Sequence, residues 1–261
     1  MEPELPAGLH GGASPRAGRT YRAIRLGWRL IQHLLGWRVA IEGLEHLPRD
    51  AAGRRVGGWI AAGVPHRTWV DPFVLWSALP AEPRLVFFGD ARTMARSPLR
   101  RFVIRRLGGV IPIPSSHGAA AAATHLAAAA TVLESGAVFC LFPEVGAATP
   151  PGTMRRFGGG IGYVALRARA PIVPIVLGGT HELYLGRRVA VRVLPALDPF
   201  ALAGVEASPP PGSPAEREAV HRLLARLHEG LEEPVDRAHR DVEPAPGARK
   251  PGARRLTTLF R

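Results

Sequence analysis

The sequence holds one cysteine, Cys140, and one lysine, Lys250. A single cysteine excludes an intrachain disulfide and any zinc site built on several thiolates. Cys140 sits in the apolar run Val138-Phe139-Cys140-Leu141-Phe142, where a small, inert core residue is expected. No run of about 18 apolar residues occurs, which argues against a membrane-spanning helix. Met1 to Gly18 carries acids, prolines and glycines where a secretory signal would carry an apolar stretch. The chain is therefore expected to be made and kept in the cytoplasm. Internal repeats, zinc-finger spacings and the aromatic signature of RNA-binding domains are absent.

The scarcity of lysine bears on the charge. A net charge of +13 and a pI of about 11.4 point to an anionic partner: nucleic acid, a membrane surface or a phosphorylated substrate. Nearly all of that charge is arginine, in a chain also heavy in alanine, glycine and proline, a skew that a GC-rich genome produces without selection for charge. The arginines are spread along the chain, so no specific nucleic-acid partner is expected. What is abundant is apolar: 46% of the 261 residues, with a mean hydropathy of +0.05, enough for one substantial folded core.

Residues 1–19 read as a disordered Pro/Gly-rich lead and 20–38 as a basic amphipathic helix. In that helix Tyr21, Ile24, Trp28, Ile31 and Leu35 form an apolar stripe widened by Leu30 and Leu34, with Arg22, Arg25 and Arg29 off it. The pattern fits a tether lying on a membrane, or a helix packed on the domain with its arginines in water. Across 39–204, short strands alternate with helices. Strands are expected at 39–44, 58–62, 84–88, 110–113, 138–142, 172–176 and 188–194, and helices at 72–79, 98–107, 119–135 and 161–169. This order predicts an α/β single domain with a mostly parallel central sheet flanked by helices. Residues 205–240 hold a proline-rich linker and a helix burying Val220, Leu223, Leu224 and Leu227; 241–261 read as a disordered basic tail.

Four stretches stand in a telling order. His66 and Asp71 lie where the strand Gly58–Ala62 gives way to the helix begun by Pro72, a place where an aspartate also serves as a plain helix cap. Then come Leu107-Gly108-Gly109-Val110-Ile111-Pro112-Ile113, Phe142-Pro143-Glu144-Val145-Gly146 and Ala170-Pro171-Ile172-Val173-Pro174-Ile175-Val176. Together they resemble the glycerolipid acyltransferase family that includes the 1-acylglycerol-3-phosphate acyltransferases. Its members carry a His and an Asp separated by four residues, a Gly-x-Ile/Phe stretch, an FPEG segment and a VPI-type strand; the resemblance covers roughly residues 36–195.

The resemblance implies an O-acyltransferase that moves a fatty acyl chain from acyl-CoA or acyl carrier protein to a hydroxyl of a lysophospholipid or related lipid or glycolipid. His66 would be the general base and Asp71 would orient it. Glu144 and Gly146 fall in the acceptor-binding segment. The arginine expected after Ile113 is replaced by Pro114, and the Thr-Arg-Ser expected after the FPEG segment by Ala147-Ala148-Thr149-Pro150. Arg155 and Arg156 are candidate substitutes for gripping an acceptor phosphate. Arg101 and Arg105, with Arg96 and Arg100, form a face suited to CoA phosphates or an acidic carrier. No metal or tightly bound cofactor is implied; the expected partners are membrane lipids and the acyl donor, at the inner face of the cell membrane. The alternative is a non-catalytic relative that binds lipid or acyl carriers, favoured by the missing arginines and opposed by the intact His66 and Asp71.

Overall fold

The computed structural model describes residues 16–90, 109–113, 119–145 and 150–243. The expected helix 98–107 and most of both tails, 1–15 and 244–261, fall outside those residues. In chain order the elements are α1 (Arg19–Leu34), β1 (Arg38–Glu42), β2 (Ile60–Val64), α2 (Asp71–Ala78), β3 (Leu85–Asp90) and β4 (Val110–Ile113). They continue with α3 (Ala119–Glu134), β5 (Val138–Leu141), α4 (Gly160–Ala168), β6 (Ile172–Gly178), β7 (Arg188–Val193), α5 (Pro199–Ala203) and α6 (Pro214–Val242).

The strands form one sheet in the order β1-β7-β6-β2-β5-β3-β4. Every neighbouring pair is parallel except β6 and β7, which are antiparallel. β2 and β6 lie side by side at the centre and are buried along their whole length, which is why both read as unbroken apolar runs. Alternate residues feed the two faces. Ile60, Ala62, Val64, Phe139, Ile172 and Val176 pack with α3, α4 and α6; Ala61, Val138, Cys140, Val173, Ile175 and Val191 pack with α2. Cys140 is fully buried and its thiol is pushed well up by desolvation, consistent with an inert core residue. Leu223, Leu227, Leu231 and Val235 of α6 belong to the same core cluster as Ile60, so the helix beyond the proline-rich linker is part of the one domain.

α6 begins with a capping arrangement. Ser213 Oγ accepts from the Glu216 N–H (3.1 Å), and the buried Glu216 carboxylate accepts from the Gly212 N–H (2.6 Å). Arg167 of α4 donates to both Glu216 oxygens (2.6 and 2.8 Å), fixing the two helices together and holding that carboxyl's pKa below its ordinary value.

The first helix departs from expectation in two ways. It stops at Leu34 rather than running to 38, because Gly36 takes a left-handed conformation (φ 67°). The N–H groups of Gly36 and Trp37 then close back on the His33 and Gln32 carbonyls. Its rotation differs too. Tyr21 is buried and Trp28 partly so, but Ile31 is exposed, and Arg25, expected off the apolar stripe, is buried. Arg25 donates to the carbonyls of Trp76 (3.2 Å), Ser77 (3.0 Å) and Leu79, and Arg29 donates to Ser77 (3.0 and 2.7 Å). These are the carbonyls at the C-terminus of α2 that have no partner within the helix, where the helix dipole favours a cation. Burial lowers the Arg25 pKa to about 10, which leaves it charged at neutral pH.

Arg25→Ala is therefore expected to lower unfolding free energy by about 2–3 kcal/mol in urea denaturation, because buried carbonyls lose a charged donor. Arg22→Ala, which removes an exposed pair with Glu82 and a local bond to the Ala17 carbonyl (3.2 Å), should change it by about 1 kcal/mol or less.

Candidate active site

The C-terminal edge of the central strands is where His66, Asp71 and Glu144 meet. β2 ends at Val64 and the chain turns through Pro65–Val70 into α2. Asp71, the first residue of α2, makes no forward helix cap; its fully buried carboxylate reaches back over the turn. Oδ2 accepts from the N–H groups of Arg67 (2.5 Å) and Thr68 (2.6 Å) and lies 3.0 Å from His66 Nδ1. Oδ1 accepts from Thr68 Oγ1 (3.3 Å). A carboxylate only accepts, so this network assigns the ring proton to Nδ1 and leaves the Nε2 lone pair for chemistry. The His66 side chain is 30% exposed, whereas that of Asp71 is fully buried.

Phe142, the last residue before the Pro143-Glu144 turn, stacks on the imidazole with centroids 4.4 Å apart and planes 25° from parallel. Gly63 makes room for it, since a Cβ there would lie 2.6 Å from the Phe142 ring.

Glu144 lies on the turn after β5. It is 9% exposed, and both oxygens are committed to backbone: Oε2 accepts from the His66 N–H and Oε1 from the Arg155 N–H (2.6 Å). Residues 143–145 pair with 156–158 through Val145 N–H to Arg156 O (3.0 Å) and Gly158 N–H to Pro143 O (2.8 Å). The acceptor candidates Glu144, Arg155 and Arg156 are thus brought together, with Glu144 as the brace between the His66 turn and the 155–158 segment. Arg156 is exposed and lines an open groove of about 770 Å³ with Met154, Phe157, Leu224 and His228. Gly146, Arg101 and Arg105, like Arg96 and Arg100, lie outside the described residues.

Motif reading did not single out Arg67, Thr68 or the stacking role of Phe142. Arg67 adjoins His66 in sequence, and its part-buried guanidinium donates to the Thr153 carbonyl (2.5 Å). Burial lowers the Arg67 pKa, and the negative charges of Glu144 and Asp71 oppose that shift. Only the three-dimensional turn reveals these roles, because they rest on backbone N–H groups and ring faces rather than on a residue spacing.

A histidine whose ring is oriented by a buried carboxylate, at the carboxyl edge of an α/β sheet, is equipped to take a proton from a hydroxyl. Residues 38–178 match the profile of the Acyltransferase family. That span exceeds half the chain and includes the His66–Asp71 turn, Glu144 and the whole of β6, and the chain belongs to the acyltransferase family. Its fold is similar to the crystal structure of the 1-acyl-sn-glycerophosphate (LPA) acyltransferase PlsC from Thermotoga maritima, with a TM-score of 0.53. The two are 20% identical over 81% of this chain and 79% of that one. No curated protein sequence matches the chain.

Proposed function

We propose that the protein transfers a fatty acyl group from the thioester of acyl-CoA or acyl carrier protein to a hydroxyl of a lysophospholipid or related lipid. The observation that carries this reading is the His66–Asp71 pair, with Nδ1 3.0 Å from the buried carboxylate and the ring partly exposed. His66 Nε2 takes the proton of the acceptor hydroxyl as its oxygen attacks the thioester carbonyl. The tetrahedral intermediate then collapses with loss of the thiolate, which receives the proton from the imidazolium. No enzyme nucleophile is required, because the thioester is already activated. Arg155 and Arg156 are the proposed contacts for an anionic acceptor headgroup, and Arg101 and Arg105 those for the donor.

The test is acyl transfer from labelled acyl-CoA and acyl carrier protein into a lipid extract, read by intact-lipid mass spectrometry. A new acylated lipid made by the native chain and missing with His66→Ala is the expected result. If neither donor gives a His66-dependent product, the transferase reading fails and a lipid-binding role replaces it.

We further place the active-site edge against a membrane surface. The outer face of α1 exposes Leu26, Leu30, Ile31 and Leu34, with Leu34 at 74%. β1 runs parallel to β7 and so antiparallel to β2, which puts its first residue, and Leu34 just before it, at the edge that carries His66. The β6–β7 connection abuts the same place through the Gly186 N–H to Leu35 carbonyl bond (2.9 Å) and adds the exposed Leu185. The neighbouring first residues of β1 and β7, Arg38 and Arg188, are both exposed and suit anionic headgroups. No helix among the described residues is long and apolar enough to cross a membrane. In vesicle flotation with anionic lipid, Leu26→Ser, Leu30→Ser and Leu34→Ser are each expected to lower partitioning by about tenfold. Undiminished binding by the triple variant would exclude this face.

A further inference from the structure

We propose that His181, His239 and Glu243 form a site for a divalent metal ion of the zinc class, separate from the catalytic pair. His181 follows β6; His239 and Glu243 stand one turn apart where α6 ends, and therefore on one face of it. Close packing brings them together. A Cβ built on Gly178 would lie 2.3 Å from the Ala238 carbonyl oxygen, so α6 runs directly against the end of β6.

The distances suit ligation. His181 Nε2 is 3.5 Å and His239 Nδ1 is 3.8 Å from Glu243 Oε1, and one donor atom from each residue falls within a 4.8 Å set. Ligands about 2.0–2.1 Å from a tetrahedral zinc ion are roughly 3.3–3.5 Å from one another, so small side-chain adjustments complete three vertices. Two imidazoles and one carboxylate select zinc, cobalt or nickel over magnesium or calcium, which take oxygen ligands. The three side chains are partly exposed, which gives an ion a way in and leaves the fourth position to water.

Two further observations point the same way. Thr180 Oγ1 is buried without a hydrogen-bond partner, and Thr180 lines the crevice shared by His181 and His239, where a metal-bound water would satisfy it. Arg187 is fully buried and donates to Glu243 Oε1 (2.7 Å), the Gly179 carbonyl (3.0 Å) and Tyr184 Oη (3.1 Å). It holds the carboxylate with Oε1 turned toward both imidazoles, as outer-shell partners of metal ligands do. Its charge also opposes a cation, so affinity is expected in the micromolar range rather than that of closed four-ligand sites.

Such an ion would clip the end of α6 to the β6–β7 connection. The same crevice is lined by Pro65, Arg67 and Gly152, and a Cβ on Gly152 would lie 3.0 Å from the His239 ring. The clip therefore adjoins the catalytic turn without using its residues. Neither composition nor motif spacing hinted at this site, since its ligands come from two distant segments.

The experiment uses the untagged full chain, stripped with a chelator, and titrates zinc ion while following thermal unfolding and bound metal. One zinc per chain, a midpoint raised by several degrees, and loss of that shift in both His181→Ala and His239→Ala are expected. His66→Ala should keep the shift, separating this site from the catalytic pair. Cobalt ion should give the visible absorption of tetrahedral coordination, again lost in the two variants. No shift and no cobalt spectrum would overturn the proposal, as would shifts unchanged in both variants. Stabilisation by inorganic phosphate but not by zinc would also overturn it and assign the crevice to an anion.

Discussion

His66→Ala should reduce kcat by about 10³-fold or more while leaving the thermal midpoint nearly unchanged. The large loss follows from removing the base that takes the acceptor proton, a contribution of about 10²–10⁴-fold. The small structural cost follows from exposure: the side chain is partly open to solvent, and alanine keeps the backbone N–H that Glu144 accepts from. Asp71→Asn is the informative companion. In serine proteases the equivalent change traps the wrong histidine tautomer and costs about 10⁴-fold. Here a single oxygen, Oδ2, accepts from Arg67 and Thr68 and faces His66 Nδ1, while Oδ1 meets only the Thr68 hydroxyl. An asparagine can place its carbonyl at Oδ2 and its amide against the hydroxyl, preserving the tautomer and losing only the charge that stabilises the imidazolium. The expected loss in kcat is about 10²-fold, measured on whichever acceptor the lipid screen identifies. A loss as large as that of His66→Ala would mean that the amide flips and the turn rearranges.

Glu144→Gln should cost about 10²-fold in kcat and about 1–3 kcal/mol in stability. The side chain has almost no exposure, and each carboxylate oxygen accepts one backbone N–H, one of them belonging to His66 itself. Glutamine offers one oxygen, so its amide must face the other N–H and leave a buried donor without a partner. The catalytic turn and the 155–158 segment would then lose their common brace. Kinetics separate this role from the acceptor contact that the motif implies. A headgroup ligand would raise KM with kcat and unfolding unchanged; a brace lowers kcat and the urea midpoint together.

The sequence by itself determined the layers and the order of chemistry. Unbroken apolar runs at Ile60–Val64 and Ile172–Gly178 require strands covered on both faces, and their alternation with helices requires a mostly parallel sheet. His66, Asp71 and the Phe142-Pro143-Glu144 segment were legible because a strand-ending turn allows only a few residues to reach the sheet edge, so the spacing carries the geometry.

The tertiary structure decided what depends on partners far along the chain. The apolar stripe of α1 is broad, and periodicity does not say which of its edges is covered. The bare carbonyls ending α2 chose the face bearing Arg25, leaving Leu26, Leu30 and Leu34 outside. The commitment of Glu144 to backbone, and the meeting of His181 with His239 and Glu243, follow from strand order and from α6 lying against Gly178. Local sequence records how a residue biases its own backbone and face. Which buried donors and acceptors still lack partners is settled only when distant elements pack, because each must then be satisfied within the protein.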